Sequence, residues 1–285
     1  MKVDVIGKQL LFVTVYIETL DATGQPVASG TGFVLESDRS GLQNAPVIVT
    51  NRHVVDDGSP LVRVHFIAEG EQGRPGLGNR ESLTMEASLW TGHPDANVDV
   101  AVMPLIPLQA QLSGPIFYRS IGNDSIPSRE LVEELDAYLD VAFVGYPNGI
   151  YDQANLTPII RRGTTATPVE LDYDGRPVFL IDASVFGGSS GSPVFLMQLN
   201  GYVEKGSMMV GASRVLWLGL VAETKVRNQL GQLVVSSPSI PRVLLRQEIN
   251  LGVVFRYEAV EAAIEAMYRQ WGQPRPTSVS IDHGA

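Results

Sequence analysis

An all-β chain with two β-rich halves and a closing helix is what the sequence predicts, on three observations. Short runs rich in Val, Ile, Phe and Thr recur along most of its length. Glycine and proline are frequent, 28 and 18 of 285 residues, as turns between many short strands require. Four-residue helical spacing is confined to two segments, 128–139 and 257–271.

The first run, Leu10–Ile17, is β-branched and aromatic and reads as a buried first strand. Flanked by Lys8 and Glu18, it is too short to span a bilayer, and no small-residue cleavage site follows it. Gly32–Leu35, Val47–Thr50, Leu61–Phe66 and Val98–Leu105 follow as strands, with an exposed Gly/Glu/Pro-rich loop expected between Ala68 and Asn79. In Ser128–Leu139, Leu131, Leu135 and Leu139 recur every four residues, a short amphipathic helix with Ser128 as its N-cap. Strands resume at 141–145, 158–162, 178–181, 194–199, 208–212, 215–222 and 251–255. Asp172–Gly175 has the look of a type I′ or related hairpin turn. Val260, Ala263, Ile264, Met267, Tyr268 and Trp271 form the apolar stripe of the last helix, which Gly272 and Pro274 stop. The organisation expected is an N-terminal half over about 1–110, a linker at 111–139, a C-terminal half at 140–256, a helix at 257–271 and a flexible tail at 273–285.

Composition excludes several functions. The formal charge is −10, from 31 Asp plus Glu against 21 Lys plus Arg, so no nucleic-acid partner is expected. There is no cysteine, hence no disulfide scaffold, thiolate metal site or cysteine nucleophile. The four histidines show no ligand spacing, and neither a metal nor another cofactor is expected. No membrane partner is expected either, and the compartment expected is the cytoplasm.

Three segments carry chemistry. His53 follows the apolar strand Val47–Thr50, where a scaffold can hold a general base rigidly. Asp99 stands among apolar residues in Asn97-Val98-Asp99-Val100-Ala101, and a buried carboxylate needs a partner such as an imidazole N–H. Gly187-Gly188-Ser189-Ser190-Gly191-Ser192-Pro193 is a tight turn that exposes a serine and leaves backbone N–H groups free to converge, as acyl transfer requires.

Together with Thr31-Gly32-Phe33-Val34, Val144-Gly145-Tyr146-Pro147 and Leu218-Gly219-Leu220-Val221-Ala222, these segments resemble the trypsin-like (chymotrypsin-fold) serine peptidases. The pattern is nearest to bacterial Deg-type protease domains without a PDZ domain. The order His, Asp, Ser matches that superfamily and not the α/β-hydrolases. The resemblance spans roughly residues 10–271. It implies two packed six-stranded antiparallel Greek-key β-barrels with a C-terminal helix, forming one peptidase domain over 1–272.

It further implies Ser190 as nucleophile, His53 as general acid/base, Asp99 as its orienting carboxylate, and the N–H groups of Gly188 and Ser190 as oxyanion hole. Ala222, Glu223 and Thr224 would pair with an extended substrate, and Ser184 would lie at the base of the specificity pocket. The implied function is a serine endopeptidase acting on protein or peptide substrates. Two departures from the usual G-D-S-G-G-P matter. Ser189 cannot form the ion pair of zymogen activation, so no activation by N-terminal cleavage is expected. Ser192 adds a hydroxymethyl group where space is tight. The missing acid at Ser184 points to a small or medium apolar P1 residue. The competing functions are a pseudo-protease that only binds peptides, and a latent protease switched on by a protein partner.

Overall fold

In a computed structural model, residues 1–40, 43–204, 207–232, 242–273 and 275–276 are described, and the side chains of 204, 223–232 and 242–249 lie outside that description. The N-terminal half carries β1 (Thr14–Leu20), β2 (Pro26–Glu36), β3 (Pro46–Thr50), β4 (Leu61–Glu69), β5 (Pro75–Glu86), β6 (Thr91–Gly92), β7 (Ala101–Pro104) and β8 (Ile116–Phe117). The C-terminal half carries β9 (Asp140–Gly145), β10 (Ile159–Thr165), β11 (Val178–Asp182), β12 (Pro193–Gln198), β13 (Gly201–Glu204), β14 (Ser207–Val210), β15 (Arg214–Gln232) and β16 (Arg242–Arg256). Helices are few and mostly single turns: α1 (Ile6–Gln9), α2 (Arg52–Val55), α3 (Ile106–Gln109), α4 (Arg129–Glu133) and α5 (Tyr257–Gln270). None of them is long and apolar enough to cross a membrane.

The C-terminal half closes as the expected six-stranded barrel, β10-β11-β16-β15-β12-β9. The N-terminal half departs from that expectation. It is an eight-stranded antiparallel sheet in the order β5-β4-β1-β2-β3-β7-β6, with β8 on β4, and among the described residues no strand pairing joins its ends. The reason is the shortness of β6: its two residues pair with Ala101 and Val102 of β7, and a 3-10 turn at Ala87–Leu89 separates them from β5.

The central strands of the N-terminal sheet bury residues on both faces, which alternate along each strand. Val15, Ile17, Val34, Ile48, Val62 and Val64 fill its inside. Phe33, Leu35, Val47 and Val49 point the other way and join the core of the second half. Phe33 meets the fully buried Trp217 edge-on at 5.4 Å, and Trp217 meets Tyr257 of α5 at 6.5 Å, so one aromatic line joins both halves to the helix.

Four local expectations change. Leu10–Phe12 is a 3-10 turn rather than strand, burying Leu10 and Phe12 in a run whose apolar residues do not alternate. The loop at 68–79 shrinks to a turn at 70–74, because β5 pairs with β4 from Pro75 onward. Asp99 lies just before β7, which begins at Ala101. The helix at 128–139 keeps its Ser128 cap, which accepts the N–H of Leu131, but ends at Glu133. Beyond it Thr165 claims the backbone: its Oγ1 donates to Ala137 O and accepts from Leu139 N. The turn at Asp174-Gly175 has positive φ at both central residues, as type I′ requires, and Asp172 is paired with Arg256.

Helix α5 buries Val260, Ala263, Ile264 and Met267, whereas Trp271 is exposed. Its acidic face is used within the chain. Glu261 pairs with Arg39, and Arg275 pairs with Glu261 at 2.7 Å and Glu265 at 3.2 Å. Arg275 Nε also donates to Ser37 O, and Pro276 O accepts from Arg39 N. This part of the expected flexible tail is therefore tied to the body; residues 274 and 277–285 lie outside the described residues.

One buried titratable group affects stability. His65 on β4 is 8% exposed, its Nε2 2.9 Å from Glu18 and its Nδ1 2.7 Å from Ser82 Oγ. Burial pushes its pKa down, and Arg80 and Arg63 add to this, outweighing the opposing bond and charge of Glu18. The neutral ring then donates to Glu18 and accepts from Ser82. Because the folded pKa is depressed, the unfolded chain takes up the proton first as pH falls below the ordinary value of 6.5. Stability contributed by neutral His65 is full above that value and declines below it. Urea midpoints at pH 7.5 and 5.5 should fall more for the wild type than for His65→Gln; equal losses would refute this.

Candidate active site

Two elements of the N-terminal half position His53 and Asp99. β3 ends at Thr50, Asn51 is extended, and the single turn α2 presents His53 toward solvent. Asn51 Nδ2 donates to Asp99 O at 2.6 Å, drawing the segment before β7 against α2. Asp99 then accepts twice from one residue: Oδ1 takes the His53 backbone N–H at 2.9 Å and Oδ2 lies 2.5 Å from His53 Nδ1. Burial pushes the Asp99 carboxyl up, but the hydrogen bond and charge of His53, with backbone donors from His53 and Arg52, hold it below the usual carboxylate range. An ionised carboxylate only accepts, so in neutral His53 the proton sits on Nδ1 and Nε2 presents a lone pair.

The serine loop hangs between β11 and β12. Its peptides are oriented by their carbonyls. Gly187 O accepts from Asn148 N at 2.5 Å, Gly188 O accepts from Thr31 Oγ1 at 3.0 Å, Ser189 O accepts from Ser192 N at 3.0 Å and Ser190 O accepts from Thr31 N at 3.0 Å. In a trans peptide the N–H points opposite to the C=O. The N–H groups of Gly188 and Ser190 therefore point away from these partners, and neither meets an acceptor among the described residues. Two amides left without an acceptor in one loop are an anion receptor in form. Gly188 needs to be glycine here: its φ is +76°, and a Cβ would come within 2.6 Å of Tyr146 O and 2.8 Å of Asn148 N.

The departures at Ser189 and Ser192 are accommodated inside the loop. Both side chains are buried, and neither hydroxyl has a hydrogen-bond partner. Ser192 finds its room at Gly145, where a Cβ would overlap Ser192 Oγ.

Ser190 Oγ donates to Ala222 O at 2.9 Å; among the described residues it makes no hydrogen bond to His53. The two are nonetheless set in one frame, because Thr31 binds Ser190 through its N–H and accepts Thr50 Oγ1, three residues before His53, at 2.6 Å. β15 pairs with β12 through Leu220, and Val221 still exchanges bonds with Gly191 and Ser192. From Ala222 onward its backbone pairs only with β16 among the described residues, through Glu223 and Thr224, so one edge is open. The side chains of Glu223 and Thr224 lie outside the described residues. Ser184 is half-buried between buried Ala183 and Val185. The groups that brace these residues, Thr31, Thr50, Asn51 and Asn148, were not among the site residues the resemblance implied. Thr31 lies in a segment the sequence had singled out, but nothing in it marks a hydroxyl as a bond to a loop more than 150 residues away.

Residues 30–201 match the trypsin-like peptidase domain, and the chain belongs to that family of serine endopeptidases. Among solved structures it is similar to the Rv3671c protease from M. tuberculosis in its active form, at 21% identity and a TM-score of 0.47 over 98% of this chain and 90% of that one. It is also similar to a scabies mite inactivated protease paralogue (14%, TM-score 0.46, 93% and 97%) and to the thermostable serine protease AL20 from an extremophilic microorganism (14%, 0.45, 90% and 97%). No curated protein matches the chain in sequence.

Proposed function

We propose that this chain hydrolyses peptide bonds through an acyl-enzyme on Ser190, with His53 and Asp99 completing a triad. The observation that carries the reading is the bidentate hold of Asp99 on His53, opposite a serine loop with two unspent amides. Ser190 Oγ attacks the carbonyl carbon while its proton passes to His53 Nε2, and the oxyanion is met by the amides of Gly188 and Ser190. His53 gives that proton to the leaving amine. Water then attacks the acyl ester by the same route, releasing the acid and restoring Ser190.

The Ser190–Ala222 bond supports a resting state that substrate itself releases. An extended peptide that adds to the open edge of β15 donates an amide to Ala222 O and competes with the hydroxyl for that acceptor. The same bond favours the second reading, a latent protease that a protein partner switches on. Ser184 brings a hydroxyl rather than a carboxylate to the pocket base, which supports a small or medium apolar P1 residue. Ser189 has no carboxylate for a new N-terminal amine, which supports a chain that needs no N-terminal cleavage.

Labelling with a fluorophosphonate probe tests the reading. Stoichiometric labelling of the wild type, absent in Ser190→Ala, is the expected result. No labelling in folded protein, with or without a short extended peptide, would overturn it and leave a peptide-binding module.

A further inference from the structure

Thr31 lies 157 residues from the glycine it bonds and makes two hydrogen bonds to the serine loop from the other half of the chain. Its side chain is fully buried and its hydroxyl bonds in both senses: Oγ1 accepts the N–H of Tyr146 at 3.0 Å and donates to Gly188 O at 3.0 Å. Its backbone N–H holds Ser190 O at 3.0 Å, and its own carbonyl is held by Thr50 Oγ1. Gly191 lies so close that a Cβ there would overlap Thr31 O.

We infer that the Thr31 hydroxyl is a positioning group for the proposed oxyanion hole, setting the Gly188–Ser189 peptide that separates its two amides. The inference rests on the triad reading above. Gly187 O and Ser189 O are fixed by backbone donors, Asn148 N and Ser192 N, which no substitution of a side chain removes directly. Gly188 O alone depends on a side chain. Glycine at 187 and 188 leaves that stretch without Cβ atoms to hold its conformation; the N–H side of the Gly188–Ser189 peptide is held by Phe186 O within the loop, and its carbonyl side is held from outside. Thr31 does this from the β-sheet of the opposite half, and its second bond reaches Tyr146, next to the turn whose Asn148 fixes Gly187. One hydroxyl thus ties both supports of the loop to each other. An oxyanion hole that loses this brace still binds substrate along β15, but its amides no longer meet the developing charge in register.

The test compares Thr31→Val, close to isosteric without the hydroxyl, with Thr31→Ser, which keeps it. With an internally quenched peptide carrying Ala or Val at P1, Thr31→Val should lower kcat by about 10²-fold with KM little changed. Thr31→Ser should restore most of kcat. Inhibition by a peptide boronate should weaken in parallel with kcat, while binding of the product acid should not, a split that a purely structural role would not produce. Should Thr31→Val fail to fold, Thr31→Ala removes the hydroxyl without pressing a methyl on Gly188 O. A wild type labelled at Ser190 beside an equally active Thr31→Val would overturn this inference alone. A wild type that is never labelled would overturn the proposed function and this inference with it.

Discussion

Ser190→Ala and His53→Ala should each lower peptide hydrolysis by about 10⁶-fold, and the double variant should lose little more. The two side chains act as one unit in the proposed chemistry: a hydroxyl without its base is a poor nucleophile, and a base without the hydroxyl has no proton to take. Neighbouring hydroxyls give no bypass. Ser189 and Ser192 flank the site in sequence, but both are buried and turned into the interior without a partner. What should survive is substrate binding, since the open edge of β15 is untouched. Steady-state kinetics and peptide affinity measured on the same preparations check this. Ser190→Ala retaining a tenth of the wild-type rate would mean that another group is the nucleophile.

The sequence and the structure agree most closely where chemistry and backbone geometry constrain each other. His53, Asp99 and the Gly188–Ser190 loop were legible because a carboxylate among apolar residues needs a partner, and a serine among glycines signals a turn with free amides. The strands of the C-terminal half were legible as short apolar runs, and their closure into a barrel only through the resemblance. That the first half stays open was not legible, because a two-residue strand such as β6, set off from β5 by the turn at Ala87–Leu89, leaves no periodic trace. β5 was hidden for a related reason: a half-exposed edge strand that opens on Pro-Gly-Leu-Gly-Asn has the composition of a loop. The helix after Ser128 was overextended because Leu131, Leu135 and Leu139 all reach the core, although the backbone beyond Glu133 is taken by Thr165. Tertiary hydrogen bonds of this kind, and those of Thr31, join positions far apart in the chain. Local spacing carries no record of them.

Asp99→Asn should lower kcat by about 10⁴-fold while leaving the fold and substrate affinity in place. The side chains are nearly isosteric, so the loss comes from the proton. Asp99 accepts the His53 backbone N–H through Oδ1 and faces Nδ1 through Oδ2. Asparagine can keep the first bond with its carbonyl oxygen, but it then turns an NH₂ toward Nδ1. The ring answers by moving its proton to Nε2, where it can no longer accept the proton of Ser190. The substitution also removes a carboxylate that the fold holds below the usual range. A group with a depressed folded pKa stabilises the native state above its unfolded pKa, and that contribution is lost as pH falls through the folded value. The acid side of the stability profile should therefore be flatter for Asp99→Asn than for the wild type. Kinetics and urea melts across pH separate the two effects. Activity within tenfold of wild type, with the acid-side flattening intact, would show that Asp99 holds α2 in place but does not set the tautomer of His53.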